Sequence, residues 1–145
     1  KIFLPIEFFQ PKKITQSLKE LINFKKNDLS NFEIRNHPSC KNSKRHIKLM
    51  KMIKEVIHKK KNYNKPKKNF SVFIGPTGSI IEALERDLEV YHICENPVLE
   101  SYSKKIWKYI KSIKIKKNLF YYKKIQKNKL LIFNNSKIIY KKYIY

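Results

Sequence analysis

Strand-like and helix-like segments alternate along the first 112 residues of the chain. In the helix-like segments apolar residues recur every three or four positions, whereas the strand-like segments are short and rich in β-branched and aromatic residues. A chain with this alternation folds into an α/β domain whose strands are mostly parallel. We therefore predict that residues 1–112 form a single α/β domain, with an open parallel sheet between flanking helices.

The bounds of the elements follow from these patterns and from the prolines and polar runs between them. Beyond residue 112 the alternation is lost and the sequence becomes rich in lysine and tyrosine. Residues 113–145 are predicted to be a basic C-terminal extension, or else to include a hairpin around Asn134 and Asn135. The predicted strands are 1–9, 32–35, 70–75 and 89–94, and the predicted helices are 12–26, 43–61, 79–86 and 101–112.

The formal net charge of +23 raises the question of a nucleic-acid partner. Lysine supplies 31 of the 34 basic residues, whereas readers of bases and phosphates favour arginine for its planar fork. The lysines accompany abundant Ile, Asn, Tyr and Phe, a composition that A+T-rich codons produce. We do not expect nucleic acid as the partner. A non-catalytic basic domain that binds it, with Tyr121, Tyr122, Tyr140 and Tyr143 stacking on bases, is the alternative function.

Gly75 and Gly78 are the only glycines in the chain, and they lie between a predicted buried strand and a predicted helix. In an open α/β sheet, ligands bind at the loops that leave the carboxyl ends of the strands. Gly75 would let the chain leave the strand sharply, and Gly78 would expose N–H groups at the helix N-terminus to a phosphate. The Thr77 and Ser79 hydroxyls flank that position. The alternative is a capping box, in which Ser79 and Glu82 only satisfy the first helical turn.

His37 and Pro38 end the predicted strand that precedes the second helix. Pro38 restricts His37 to an extended conformation, which fixes the direction of the imidazole. If the two strands are near each other in a parallel sheet, His37 and the Thr77–Ser79 turn open on the same edge. A histidine beside a phosphate can donate a hydrogen bond or, when protonated, offset charge on a leaving group. The alternative is a loop histidine before a turn-forming proline.

The order of these segments and motifs resembles the donor-binding, C-terminal half of bacterial glycosyltransferases of the GT-B fold. The resemblance covers roughly residues 1–112. More narrowly, the chain resembles enzymes that use cytidine-activated sugars, such as sialyltransferases and capsule Kdo transferases. CDP-glycerol-type polymerases are a close second relative. These families have a His-Pro motif, which His37-Pro38 matches. They also have a Ser-Ser or Ser-Thr motif for the nucleotide phosphate, which Thr77-Gly78-Ser79 matches with a glycine between the two hydroxyl residues.

The resemblance implies a Rossmann-like fold and a nucleotide-sugar donor, with CMP as the implied nucleotide. In the implied site His37 is catalytic and supports the leaving phosphate, and Glu82 reaches the ribose or base. The acidic motif that supplies the general base in the acceptor half of these families is absent, since Asp28 and Glu33 lack its context. We expect either a fragment or processed product, beginning at Lys1, whose catalytic base lies in the missing half, or a degenerate remnant. Alone the chain should bind the donor but hardly turn it over. The implied nucleotide and phosphate ligands are Pro38, Gly75, Thr77, Gly78, Ser79 and Glu82.

The implied partners are the nucleotide-sugar donor and a glycan or lipid-linked acceptor, in the synthesis of bacterial surface polysaccharide or lipooligosaccharide. No stretch approaches the ~20 apolar residues of a membrane span. Lysines of the extension would be attracted to an anionic membrane surface. We therefore expect a cytoplasmic protein with peripheral contact at the inner face of the membrane.

We expect neither a cofactor nor a metal. The two cysteines are too few for a disulfide framework. Two cysteines and two histidines could supply zinc ligands, but adjacent strand positions point to opposite faces of a sheet. The zinc ligands considered are His37, Cys40, His92 and Cys94.

His46 and His58 lie among lysines on an amphipathic helix and are predicted to be solvated.

Overall fold

The computed structural model describes residues 1–59, 63–66, 69–97 and 109–125, which form a six-stranded sheet flanked by helices. The strands are β1 (Ile2–Phe3), β2 (Ile34–Arg35), β3 (Phe70–Ile74), β4 (Glu89–Ile93), β5 (Ile110–Lys116) and β6 (Leu119–Lys124). The helices are α1 (Pro11–Lys25), α2 (Lys44–Ile57) and α3 (Ser79–Glu85), and a 3-10 turn spans Pro38–Cys40. Within the described residues, no helix has the length and apolar content needed to cross a membrane.

The strand order in the sheet is β2-β1-β3-β4-β6-β5. The first four strands in this order are parallel, whereas β6 runs antiparallel to β4 and to β5. The α/β class and the parallel arrangement are confirmed for β1 to β4. The sheet is not parallel throughout, because β5 and β6 form a hairpin and a short connection allows only antiparallel pairing.

The sheet continues past residue 112. That residue lies inside β5, and β6 pairs with β4 from Val90–Tyr122 to Ile93–Leu119. The predicted domain boundary therefore falls within a strand, and we include residues 113–124 in the folded unit. Ile110, predicted to be helical, is the first residue of β5, while residues 101–108 of that helix and the hairpin around Asn134 lie outside the described residues.

Two apolar cores lie on opposite faces of the sheet, because alternate residues of a strand point to opposite sides. In β3, Val72 and Ile74 belong to the larger core with α1 and α2, whereas Phe73 belongs to the smaller core with α3. All five residues of β3 are buried, as predicted for a strand covered on both faces. Helix α1 buries the predicted apolar face, which consists of Ile14, Leu18, Leu21 and Ile22.

Strand β1 is much shorter than the predicted strand 1–9. Leu4 N–H still donates to Arg35 O at 2.8 Å, but Pro5 follows and has no N–H for a sheet ladder. The chain then leaves the sheet and enters α1 at Pro11. Residues 4–10, the β1–α1 loop, consequently run along the carboxyl ends of the parallel strands.

Candidate functional site

A cleft with a volume of about 830 Å³ lies at the carboxyl ends of β1, β2 and β3. Strand β1 lies between β2 and β3. The chain therefore adds β2 on one side of β1 and later adds β3 on the opposite side, which reverses the strand order. Ligands of open α/β sheets bind at such a reversal of strand order. Residues 3–7, 35–38 and 76–79 line the cleft, together with Glu82.

The cleft brings the two sequence motifs together. The expectation that they open on the same edge of the sheet is confirmed, since β2 and β3 both flank β1 and end at the same side. Gly75, predicted to bind phosphate, is buried and does not line the cleft. The predicted site residues that line the cleft are His37, Pro38, Thr77, Gly78, Ser79 and Glu82.

His37 is held by a hydrogen-bonded turn. Its backbone is extended (φ −61°, ψ 137°), as the following proline requires. Nδ1 of His37 accepts a hydrogen bond from Ser39 N–H at 3.3 Å, so the proton of the neutral ring resides on Nε2, which can donate to a ligand. Asn36 supports the turn, because its Oδ1 accepts from His37 N–H at 3.0 Å and its Nδ2 donates to Cys40 O at 2.8 Å.

Gly75 makes the predicted sharp exit from β3. Its φ is +67°, and a Cβ at this position would lie 2.9 Å from Pro5 Cγ and 3.0 Å from Glu7 O. Glycine is therefore required both by the backbone conformation and by the close approach of the β1–α1 loop. Gly75 N–H donates to Ile93 O at 2.8 Å, and His92 Nε2–H donates to Gly75 O at 2.7 Å. The turn is thus anchored to β4.

Gly78 differs from Gly75 because the protein itself does not require a glycine there. Its backbone is ordinary (φ −78°, ψ −16°), and a Cβ would meet no atom within 4 Å. Gly78 is exposed and lines the cleft. A side chain at this position would therefore displace no neighbouring atom of the protein.

The capping box considered for Ser79 and Glu82 is not formed. Gly78 occupies the N-cap position without a side-chain hydrogen bond. Ser79 N–H instead donates to Thr77 Oγ1 at 3.2 Å, and the Glu82 carboxylate pairs with Arg86 at 2.6 Å. Helix α3 has only seven residues, so few aligned peptide dipoles are available to attract a phosphate.

Asp28 and Glu33, the acidic residues considered for the general base, do not line the cleft. The Asp28 carboxylate accepts hydrogen bonds from Ser30 N–H and Oγ, both at 2.9 Å. Glu33 pairs with Arg35 at 3.0 Å, and this hydrogen bond holds the pKa of the Glu33 carboxyl below its usual value. Both carboxylates thus have structural partners.

The β1–α1 loop forms a wall of the cleft that sequence reasoning missed. His46 Nε2–H donates to Pro5 O at 2.9 Å, and Arg45 donates to Phe8 O at 2.7 Å. The prediction that His46 is solvated is wrong, because its ring is buried against this loop and its Nδ1 lies 3.0 Å from Ser43 Oγ. Pro5 could have indicated this wall from the sequence, because it ends β1 at the edge of the sheet where β2 and β3 also end.

His92 lies on β4 and Cys94 directly follows this strand, and both are buried, whereas His37 lines the cleft. Burial raises the pKa of the Cys94 thiol to about 12, so this thiol stays protonated at neutral pH. In the part of the chain that the structure describes, no three His, Cys, Asp or Glu side chains are grouped as metal ligands. Of the two pairs considered for zinc, His92 and Cys94 are thus both buried, whereas the other pair includes His37, which lines the cleft.

No protein-family model matches the chain, no curated protein matches its sequence, and no solved structure matches its fold. The cleft is therefore interpreted from its own residues.

Proposed function

We propose that this chain is the Rossmann-like, donor-binding domain of a bacterial glycosyltransferase of the GT-B type. The donor is a nucleotide-sugar, with CMP as the nucleotide. The observation that carries this proposal is the meeting of the His37-Pro38 motif and the Thr77–Ser79 turn in one cleft, at the reversal of strand order. The cleft volume of about 830 Å³ lies within the range of small-molecule and cofactor sites.

In the proposed complex the donor phosphate lies between the two motifs. His37 donates its Nε2–H to a phosphate oxygen and, when protonated, offsets the charge on the leaving nucleotide. On the opposite side, the Thr77–Ser79 turn offers hydroxyl groups to the phosphate. The open space beside Gly78 allows the phosphate to approach the backbone.

The nucleoside occupies the part of the cleft between Glu82 and the β1–α1 loop. The Glu82 carboxylate accepts hydrogen bonds from ribose hydroxyls or from a base amine. Its ion pair with Arg86 restrains the side chain at the rim of the cleft. Leu4, Pro5 and Ile6 provide an apolar wall for a ring, and the Ile6 side chain is 55% exposed.

The described residues account for donor binding only, so we assign the general base to an acceptor-side half. The acceptor is a glycan or a lipid-linked glycan of bacterial surface polysaccharide or lipooligosaccharide synthesis. Strand β5 presents the exposed Lys111, Lys114 and Lys116 at the edge of the sheet. These lysines support peripheral contact with an anionic membrane surface, where such acceptors are built.

The structure removes part of the basis for the alternative function in nucleic-acid binding. Tyr121 and Tyr122, considered for base stacking, both lie in β6. Tyr122 is fully buried, and Tyr121 packs against Tyr91 with ring centroids 5.1 Å apart. Tyr122 therefore has no face open to a base.

Titration with CMP, CDP, UDP and GDP by calorimetry at moderate salt tests the proposal. We expect saturable binding of a cytidine nucleotide. His37→Ala and Ser79→Ala should each weaken it by about tenfold or more, the effect of losing one hydrogen bond to a charged group. His58→Ala is the matched control, because His58 is exposed and does not line the cleft.

A chain that binds none of these nucleotides would contradict the proposal. Tight binding to RNA or DNA that collapses as salt is raised would then support the alternative, because phosphate-backbone binding releases counterions.

A further inference from the structure

We propose that His92 is a positioning residue of the nucleotide site, which holds the Gly75 carbonyl so that the Thr77–Ser79 turn keeps its binding conformation. The inference rests on the proposed function for its role in ligand binding. It does not rest on that function for the conformation of the turn, which can be measured without a ligand.

The register of the sheet brings His92 to Gly75. His92 pairs with Phe73 in the neighbouring parallel strand, and Gly75 lies two residues beyond Phe73, just after the end of β3. The His92 ring is fully buried, and its Nε2–H donates to Gly75 O at 2.7 Å. A buried side chain of β4 thus supports Gly75, two residues before the Thr77–Ser79 turn.

The second ring nitrogen fixes the tautomer of His92. Nδ1 lies 3.4 Å from Tyr122 Oη and 3.5 Å from Cys94 Sγ, and either group can donate to it. Burial lowers the pKa of His92 to about 4, so the ring is neutral at neutral pH. A neutral ring that accepts at Nδ1 must donate at Nε2, which is the bond that Gly75 O receives.

Both polar backbone groups of Gly75 are consequently bound to β4. Its N–H donates to Ile93 O at 2.8 Å, and its carbonyl accepts from His92. Pro76 follows, with a fixed φ and no N–H. The Thr77–Ser79 turn therefore starts from a backbone whose direction is set by these two bonds. Loss of the His92 bond would leave the Gly75 carbonyl without this donor and free the peptide unit that precedes the turn.

A purely structural role for His92 would predict lower stability and an unchanged turn in those molecules that remain folded. A positioning role predicts that the turn changes and that nucleotide affinity falls even when the protein is fully folded. The two roles are separated by His92→Gln, whose side-chain amide can donate to Gly75 O, and His92→Leu, which has the bulk but no donor.

The test uses two measurements on each variant. The first is the backbone amide chemical shifts and hydrogen exchange of Thr77–Ser79 in the ligand-free protein. The second is the Kd for CMP. We expect His92→Leu to change the amide signals of the turn and to weaken CMP binding by about tenfold, while His92→Gln stays within about threefold of the wild type. Ile53→Val is the control for general destabilisation, because Ile53 is buried on α2 in the other core.

Unchanged amide signals of the turn in folded His92→Leu would overturn the proposal, whether or not CMP binds. A wild-type protein that fails to bind CMP contradicts the proposed function instead, and the amide signals still decide whether His92 positions the turn. If His92→Leu does not fold, His92→Asn takes its place, because the shorter amide does not reach the carbonyl.

Discussion

Replacing Gly75 by alanine is expected to lower the free energy of unfolding by about 3 kcal/mol. The φ of +67° is strained for any residue with a Cβ, and the added methyl would lie 2.9 Å from Pro5 Cγ and 3.0 Å from Glu7 O. Neither neighbour can yield easily, because one is a proline ring and the other is a backbone carbonyl. Urea unfolding followed by circular dichroism measures the effect.

Gly78→Ala is the matched control, since it adds the same methyl group only three residues away. Its φ of −78° suits alanine and no atom lies within 4 Å of the new Cβ, so stability should change by less than about 0.5 kcal/mol. The methyl would still occupy space that the proposed ligand needs, and CMP binding should weaken. Equal stability of Gly75→Ala and the wild type would contradict the close packing of the β1–α1 loop on the turn.

The α/β alternation could be predicted because its signals are local and strong. Helices α1 and α2 follow from apolar residues at helical spacing, and β3 follows from a continuous apolar run. Parallel strands end at the same edge of a sheet, so two motifs at strand ends could be expected to meet there. For that reason the sequence predicts that His37 and the Thr77–Ser79 turn lie near each other, and both line the cleft.

The hairpin β5–β6 could not be found in this way. Lysines occupy most exposed positions of β5, and an irregularity between Lys114 and Lys116 breaks the two-residue period that marks a strand. The same lysines suit an edge strand, because they oppose pairing with another chain. Residues 113–124, whose composition resembles that of a basic tail, therefore belong to the sheet.

The supports of the candidate site depend on contacts between distant segments, which a local pattern does not contain. His46 resembles other histidines of lysine-rich helices until the β1–α1 loop packs over it. The Ser79-to-Glu82 spacing fits a capping box, but Arg86 provides a competing partner for the carboxylate. His92 was considered only as a zinc ligand, because its contact with Gly75 follows from the strand register.

Acidification from pH 7 to pH 4 is expected to destabilise the wild type by about 3 kcal/mol more than His92→Gln. Burial lowers the pKa of His92 from 6.5 to about 4 in the folded protein, while the unfolded chain regains the ordinary value. Between pH 6.5 and about pH 4 the unfolded state binds a proton that the folded state does not. The free energy of unfolding therefore falls as the pH falls through this range. The difference between the two pKa values corresponds to about 3 kcal/mol.

Urea unfolding of both proteins at half-unit steps from pH 7 to pH 4 measures this difference. Subtracting the two curves cancels the titration of the carboxylates and of the other histidines, which both proteins share. The His92 ring contacts the Gly75 carbonyl, the Tyr122 hydroxyl and the Cys94 thiol, and its burial disfavours the charged imidazolium form. Parallel curves would therefore mean that the folded protein accepts the proton at little cost, with the ring no longer enclosed between β4, β6 and the turn.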